Sequence, residues 1–234
     1  MKIPAIQTTL TGADERTPLA ELLKLAAWPH VEIGLLYTFA PEGRNRYPSL
    51  DWLHGIAPRL STVGRLALHV CGGRARRQLM DGELADLFRH AQRLQVNGTL
   101  QPEEVEHICS LYPGKTIITQ HCTVNAALVD TIEAKNHALL VDGSGGRGVS
   151  PTAWVRPATA KAVGFAGGLG SENIIEQRPL IAAVATGQWW IDMEGRLRDS
   201  DDCFDVQRAL TVARITQAEP IGISLQDFAR LCVQ

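Results

Sequence analysis

The sequence predicts a (β/α)8 barrel, a closed sheet of eight parallel strands. Three observations carry this. Eight short apolar runs alternate with amphipathic stretches, the pattern of right-handed βαβ units. The residues that end the runs are polar, as expected where a barrel gathers its functional side chains. Two glycine-rich loops, VDGSGGRGVSP and AVGFAGGLGSENI, close the sixth and seventh runs. A doubly wound open sheet is the alternative that the same alternation allows.

In order, the runs cover residues 3–8, 31–37, 66–71, 94–97, 116–122, 138–142, 162–166 and 189–193. Each is short enough for one strand, and several begin just past a glycine such as Gly114 or Gly187. Amphipathic stretches at 18–27, 81–91, 102–111, 125–134, 171–185 and 204–217 supply the helices. Segment 50–60 is less regular. Segment 151–158 carries two prolines and reads as a loop with one helical turn. No linker or charge block divides the chain, so residues 1–234 form a single barrel domain. The barrel reading requires Gln7, Asn97, Asp142 and Asp192 to meet at one mouth, together with the glycines at 167 and 168.

Composition limits the function. The 234 residues hold 23 basic and 25 acidic side chains, a net charge of −2. No long run of one sign occurs, so nucleic acid is not expected as a partner. No apolar stretch reaches the roughly 18 residues of a membrane helix, and the first residues lack the apolar core of a signal peptide. Five scattered cysteines suit free thiols in a reducing cytoplasm. The expected partner is a small phosphorylated molecule, with a homodimer as the expected assembly. No cofactor is called for.

The glycine loops carry the chemistry. In a barrel, the loops after strands seven and eight hold phosphate through backbone N–H groups. Gly167, Gly168 and the amides near Ser171 suit that task. The plainer reading is a tight turn with Ser171 as helix N-cap.

Several segments resemble phosphoribosylanthranilate isomerase. They are HALLVDGSGGRGVSP, VGFAGGLGSENI and WWIDMEGRLRDSDDCFD, with VEIGLLYTFAPEGRNRYPS earlier. The resemblance implies an isomerase of tryptophan biosynthesis in the ribulose-phosphate-binding barrel superfamily. The family carries out an Amadori rearrangement of an N-glycosylated aminosugar phosphate. On this resemblance Asp142 is the general acid that opens the ring. Arg46 meets the substrate carboxylate, with Arg44 as rival because this loop is two residues longer. Gly167, Gly168 and Gly195 bind the phosphate.

Three positions depart from the family. Its base is a cysteine in a Lys-Ile-Cys-Gly strand, and the matching stretch Ala5-Ile6-Gln7-Thr8 places Gln7 there. An amide does not act as a base near neutral pH. Cys71, Cys122 and His121 are the candidate substitutes. Met193-Glu194 brings a carboxylate to the final phosphate turn, where Arg147, Arg196 or Arg198 would offset it. Asn97 takes the place of a histidine on strand four, as a candidate substrate-binding residue.

Other chemistries fit less well. Each lysine falls on a terminus, helix or strand entrance rather than where a Schiff base would form. His69, His121, Cys122 and Asp142 have metal-binding donor types but no tight motif. The leading expectation is therefore an isomerase acting on a phosphorylated sugar or aminosugar. The competing class is a barrel that binds such a ligand without turning it over, or one that runs a different reaction on a sugar phosphate.

Overall fold

A computed structural model describes residues 7–41, 43, 45–142 and 148–217. Its eight strands close in sequence order into one all-parallel barrel. They are β1 (Thr8–Thr11), β2 (Val31–Thr38), β3 (Arg65–Cys71), β4 (Arg93–Asn97), β5 (Thr116–His121), β6 (His137–Val141), β7 (Val163–Phe165) and β8 (Trp189–Met193). Closure comes from β1 lying parallel to β8, with Thr8 opposite Ile191 and Thr9 opposite Asp192. Outside lie α1 (Leu19–Ala26), α2 (Leu50–Val63), α3 (Gly73–Asp81), α4 (Ala85–Phe88), α5 (Pro102–Leu111), α6 (Leu128–Thr131), α7 (Ile174–Val184) and α8 (Val206–Thr216).

The (β/α)8 expectation holds, and the local differences have physical reasons. Most of the expected first strand lies outside the described residues, and β1 instead runs through Thr8-Thr9-Leu10-Thr11. Threonine is β-branched and favours a strand, but its hydroxyl hides the strand from a search for apolar runs. Segment 50–60 is a full helix, opened by Ser49, whose Oγ accepts from the Trp52 N–H at 3.3 Å. The stretch expected as one helix at 81–91 holds only the short α4, and a separate helix, GRARRQLMD, precedes it and buries only Ala75 and Leu79. Those two residues are four apart and share one face, so the arginine-rich remainder concealed it. Segment 125–134 yields only the short α6 after a 3-10 turn at Thr123–Asn125. Segment 151–158 forms no helical turn. It buries Trp154 edge-on against Phe165, 6.1 Å between ring centroids. Asn173 rather than Ser171 sits at the α7 N-cap position.

Two shells of side chains hold the barrel. Between sheet and helices the packing is apolar, with Leu10, Ile33, Leu35, Leu68, Val96, Phe165 and Ile191 fully buried. Inside the barrel the character divides. Ile118, Ala138, Leu140 and Trp190 form a small apolar cluster. A glycine is required at position 164, since a Cβ there would collide with the Trp190 ring. The other half of the interior is polar. Glu32 pairs with Arg93, the Thr9 hydroxyl donates to Glu32 at 3.0 Å, and Arg93 donates to that same hydroxyl at 2.7 Å. The Arg93 guanidinium also lies 4.3 Å from the Trp190 ring centroid. Barrel interiors are usually filled with Val, Ile and Leu, so a buried ion pair here is a departure. The described residues contain no helix long and apolar enough to cross a membrane.

Candidate active site

A cavity of about 460 Å³ opens where the strands end at their C-terminal side. Asn97 at the end of β4, Asp142 just beyond β6, Gly167 and Gly168 beyond β7, and Gly195 beyond β8 all line it. Arg46 reaches it from the loop after β2. Strand alternation turns Asn97 to the same inner face of β4 as Gln95. Asp142 is 5% exposed. Arg44 and Arg147 lie outside the described residues.

Beyond β7 the backbone turns through two positive-φ glycines, Gly167 at +120° and Gly168 at +58°. A side chain at 168 would also strike Ser150, so this corner admits only glycine. Asn173 fastens the turn by accepting from the Gly170 N–H at 3.0 Å and donating to the Gly168 carbonyl at 2.8 Å. Among the described residues no acceptor takes the N–H groups of Gly168, Leu169 or Gly195. Gly195 opens a short 3-10 turn, Gly195–Leu197. Unused N–H groups from two adjacent loops around one cavity make a concavity suited to an anion.

Arg46 is already engaged. Its guanidinium holds Asp202 bidentately, at 3.0 and 2.7 Å, and donates to Glu194 at 3.0 Å. The carboxylate of Glu194, just before Gly195, is thus offset by Arg46. Arg196 turns outward to Glu172 at 3.2 Å. Arg198 is buried, donating to the carbonyls of Gly12 and Asp202 at 2.8 and 2.6 Å. Burial pushes the Glu194 carboxyl up, against the opposing pull of Arg46 and Arg198.

Gln7 does not join this group. Its carbonyl accepts from the Ile191 N–H at 3.0 Å, and its side chain accepts from Arg65, the first residue of β3. That is the strand-entry end of the barrel, opposite the cavity. β1 reaches its C-terminal end four residues later, at Thr11, followed by Gly12 at φ +109°. Thr11-Gly12, not Gln7-Thr8, is therefore the pair at the C-terminal end of β1. An alcohol is no better a base than an amide.

The expected substitutes fare differently. Cys71 lines the cavity and its sulfur accepts from Asn97 Nδ2 at 3.3 Å. Burial pushes its thiol up to about 11, so it is not a thiolate near neutral pH. His121 and Cys122 line a separate, mostly apolar cavity of about 340 Å³ beside Trp154. Among the described residues no cluster of three His, Cys, Asp or Glu side chains is placed to hold a metal.

The floor of the cavity was legible in part: Asp192, expected at this mouth with Asn97 and Asp142, lines it, while Gln95 was not singled out in the sequence. His69, Gln95 and Asp192 line it from below, each at most 5% exposed. Thr11 donates to Asp192 Oδ1 at 3.0 Å, and His69 Nε2 lies 3.8 Å from Asp192 Oδ2. Burial drives His69 down to about 3, with Arg93 adding to the shift. Burial also drives Asp192 up to about 8, opposed by Arg93 and the Thr11 hydroxyl. Polar residues within apolar runs were the available signal.

An eight-stranded parallel barrel with its cavity at the strand C-termini belongs to a broad architectural class. Solved barrels similar to this one include TrpF from Jonesia denitrificans, with a TM-score of 0.62 at 14% identity over 91% of this chain and 97% of that one. Phosphoribosyl anthranilate isomerase from Thermotoga maritima is similar at TM-score 0.62 and 13% identity, over 90% and 98% of the two chains. Orotidine 5'-monophosphate decarboxylase from Methanocaldococcus jannaschii gives a TM-score of 0.53 at 10% identity, over 92% and 99%. At such identities these likenesses show the (β/α)8 barrel fold alone. No protein-family model and no curated protein matches the chain.

Proposed function

We propose that this barrel binds a phosphorylated sugar or aminosugar and isomerises it. The observation that carries the reading is the convergence of Asp142 with the unused amides of Gly168 and Gly195 on one cavity. The amides hold the phosphate. Asp142 donates a proton to the ring or carbonyl oxygen as the ring opens, while Asn97 meets a substrate hydroxyl. The likeness to solved isomerase barrels supports this reading through the fold. The most direct test is whether purified protein converts phosphoribosylanthranilate, followed by loss of its fluorescence. Turnover that disappears in Asp142→Asn is the expected result.

A second reading has its own support. Arg46 is neutralised by Glu194 and Asp202, so the resembling family's carboxylate anchor is engaged within the chain. Thr11, not a thiol, ends β1. Both favour a substrate without a carboxylate, or a barrel that binds its phosphate ligand without turnover. Inorganic phosphate raises the melting point under either reading, because a ligand that binds only the folded state stabilises it. No shift at millimolar phosphate overturns both.

A further inference from the structure

We propose that Asp192 is the catalytic base of this site, taking the proton from the carbon beside the substrate's carbonyl or iminium group. The proposal rests on the isomerase reading above and supplies the group that reading lacks.

The geometry is specific. β8 turns Asp192 inward onto the cavity floor, below the rim that carries Asp142, and both line the same cavity. Thr11 fixes the carboxylate by its 3.0 Å hydrogen bond to Oδ1. The last residue of β1 therefore orients a carboxylate. Gly34 leaves the space this requires, since a Cβ there would collide with the Thr11 hydroxyl. Oδ2 is buried and has no hydrogen-bond partner among the described residues. A buried carboxylate oxygen without a donor is costly, and native proteins keep such groups where chemistry uses them.

Every neighbouring element contributes to the setting. His69 faces Asp192 from β3, Arg93 from β4, Glu32 from β2, and Glu194 lies two residues on along β8. Only Arg93 is a cation, and it is shared with Glu32. An ordinary aspartate is a weak base. Burial raises this one to about 8, into the range where a general base works well.

The step balances without a further reactant. The C–H bond breaks and its proton passes to the Asp192 carboxylate. The C–H electron pair becomes a C=C bond, and the π pair of the adjacent C=O or C=N moves onto oxygen or nitrogen. Where that atom is oxygen, Asp142 protonates it. Return of the Asp192 proton to the neighbouring carbon, while the hydroxyl on the deprotonated carbon gives its proton back to Asp142 and becomes the new carbonyl, completes an isomerisation with no net change in atoms or electrons.

Ribulose 5-phosphate in deuterium oxide, followed by proton NMR, tests this. Wild-type protein should exchange protons beside the carbonyl faster than buffer does. Asp192→Asn should lower the enzyme-dependent rate by about 10²–10⁴-fold, while the melting-point rise with inorganic phosphate persists. Thr11→Val keeps the shape and removes the hydroxyl. It should shift the pH midpoint of exchange upward, because that hydrogen bond favours the ionised carboxylate, and it decides the matter if Asp192→Asn does not fold. Unchanged exchange in Asp192→Asn, or an unmoved midpoint in Thr11→Val, overturns the assignment. A wild-type protein that phosphate stabilises but that exchanges nothing also overturns it, leaving the phosphate site intact. Absence of both effects removes the isomerase reading itself.

Discussion

Buried titratable side chains give the protein a stability optimum with two limbs of different origin. His69 and His137 are driven by burial from 6.5 to about 3. Between those values the unfolded chain binds protons that the native state refuses, so stability falls as pH drops from about 6.5 toward 3. Asp192 works in the opposite sense. Its native value of about 8 lies above the 3.8 of the free side chain, so the native state keeps a proton the unfolded chain has lost. Stability therefore declines as pH rises from about 4 through 8. Thermal unfolding across pH should show a maximum near 6.5, and Asp192→Asn should flatten the alkaline limb and steepen the acid limb between about pH 4 and 6.5. Backbone chemistry gives a second expectation at this scale. Gly168→Ala places a Cβ against Ser150 at positive φ, so it should abolish the melting-point rise with phosphate as well as lower the melting point itself.

Individual elements differ in how openly the sequence declared them. α5, opened by Pro102 and capped reciprocally by Gln101 and Glu104, matched its expected span because its apolar period and its ends agree. β2, β5 and β8 were legible as apolar runs between breakers. β1 was not, since its inward face is threonine, and Gln7, expected at the mouth, sits at the strand-entry end instead. The same blindness hid Glu32 and Gln95, whereas Asp192 was expected at the mouth and lines the cavity. Glu32, His69, Gln95 and Asp192 each interrupt an apolar run, and periodicity counts an interruption as noise rather than as an inward-facing polar layer. The glycine turns and Asp142 were readable because strand ends are marked by composition. Capping offers a clean check on one element. Asp205 accepts from the N–H groups of Gln207 and Arg208 at the start of α8, at 2.9 and 3.1 Å. Asp205→Ala should cost about 1 kcal/mol in chemical denaturation, with the slope unchanged.

For the whole molecule, the divided interior is the feature that governs stability. Removing one partner of the buried Glu32–Arg93 pair leaves an uncompensated charge, so Arg93→Met should destabilise by about 3–5 kcal/mol. Replacing both, as Glu32→Leu with Arg93→Met, should recover most of that loss, because two apolar side chains need no partners. Equilibrium denaturation of the two variants checks this, and equal losses would show the pair to be irrelevant. Strand length varies around the barrel as well. β2 runs for eight residues and β3 for seven, while β7, between the two glycine loops, has three. Local opening follows the weakest pairing, so the amides of β7 should trade with solvent deuterium sooner than those of β2 and β3. An anion bridging the loops after β7 and β8 would close that seam. Phosphate should then slow deuterium uptake most along Val163–Phe165, far more than at β3. The thinnest part of the wall would serve as the reporter of whether the cavity is filled.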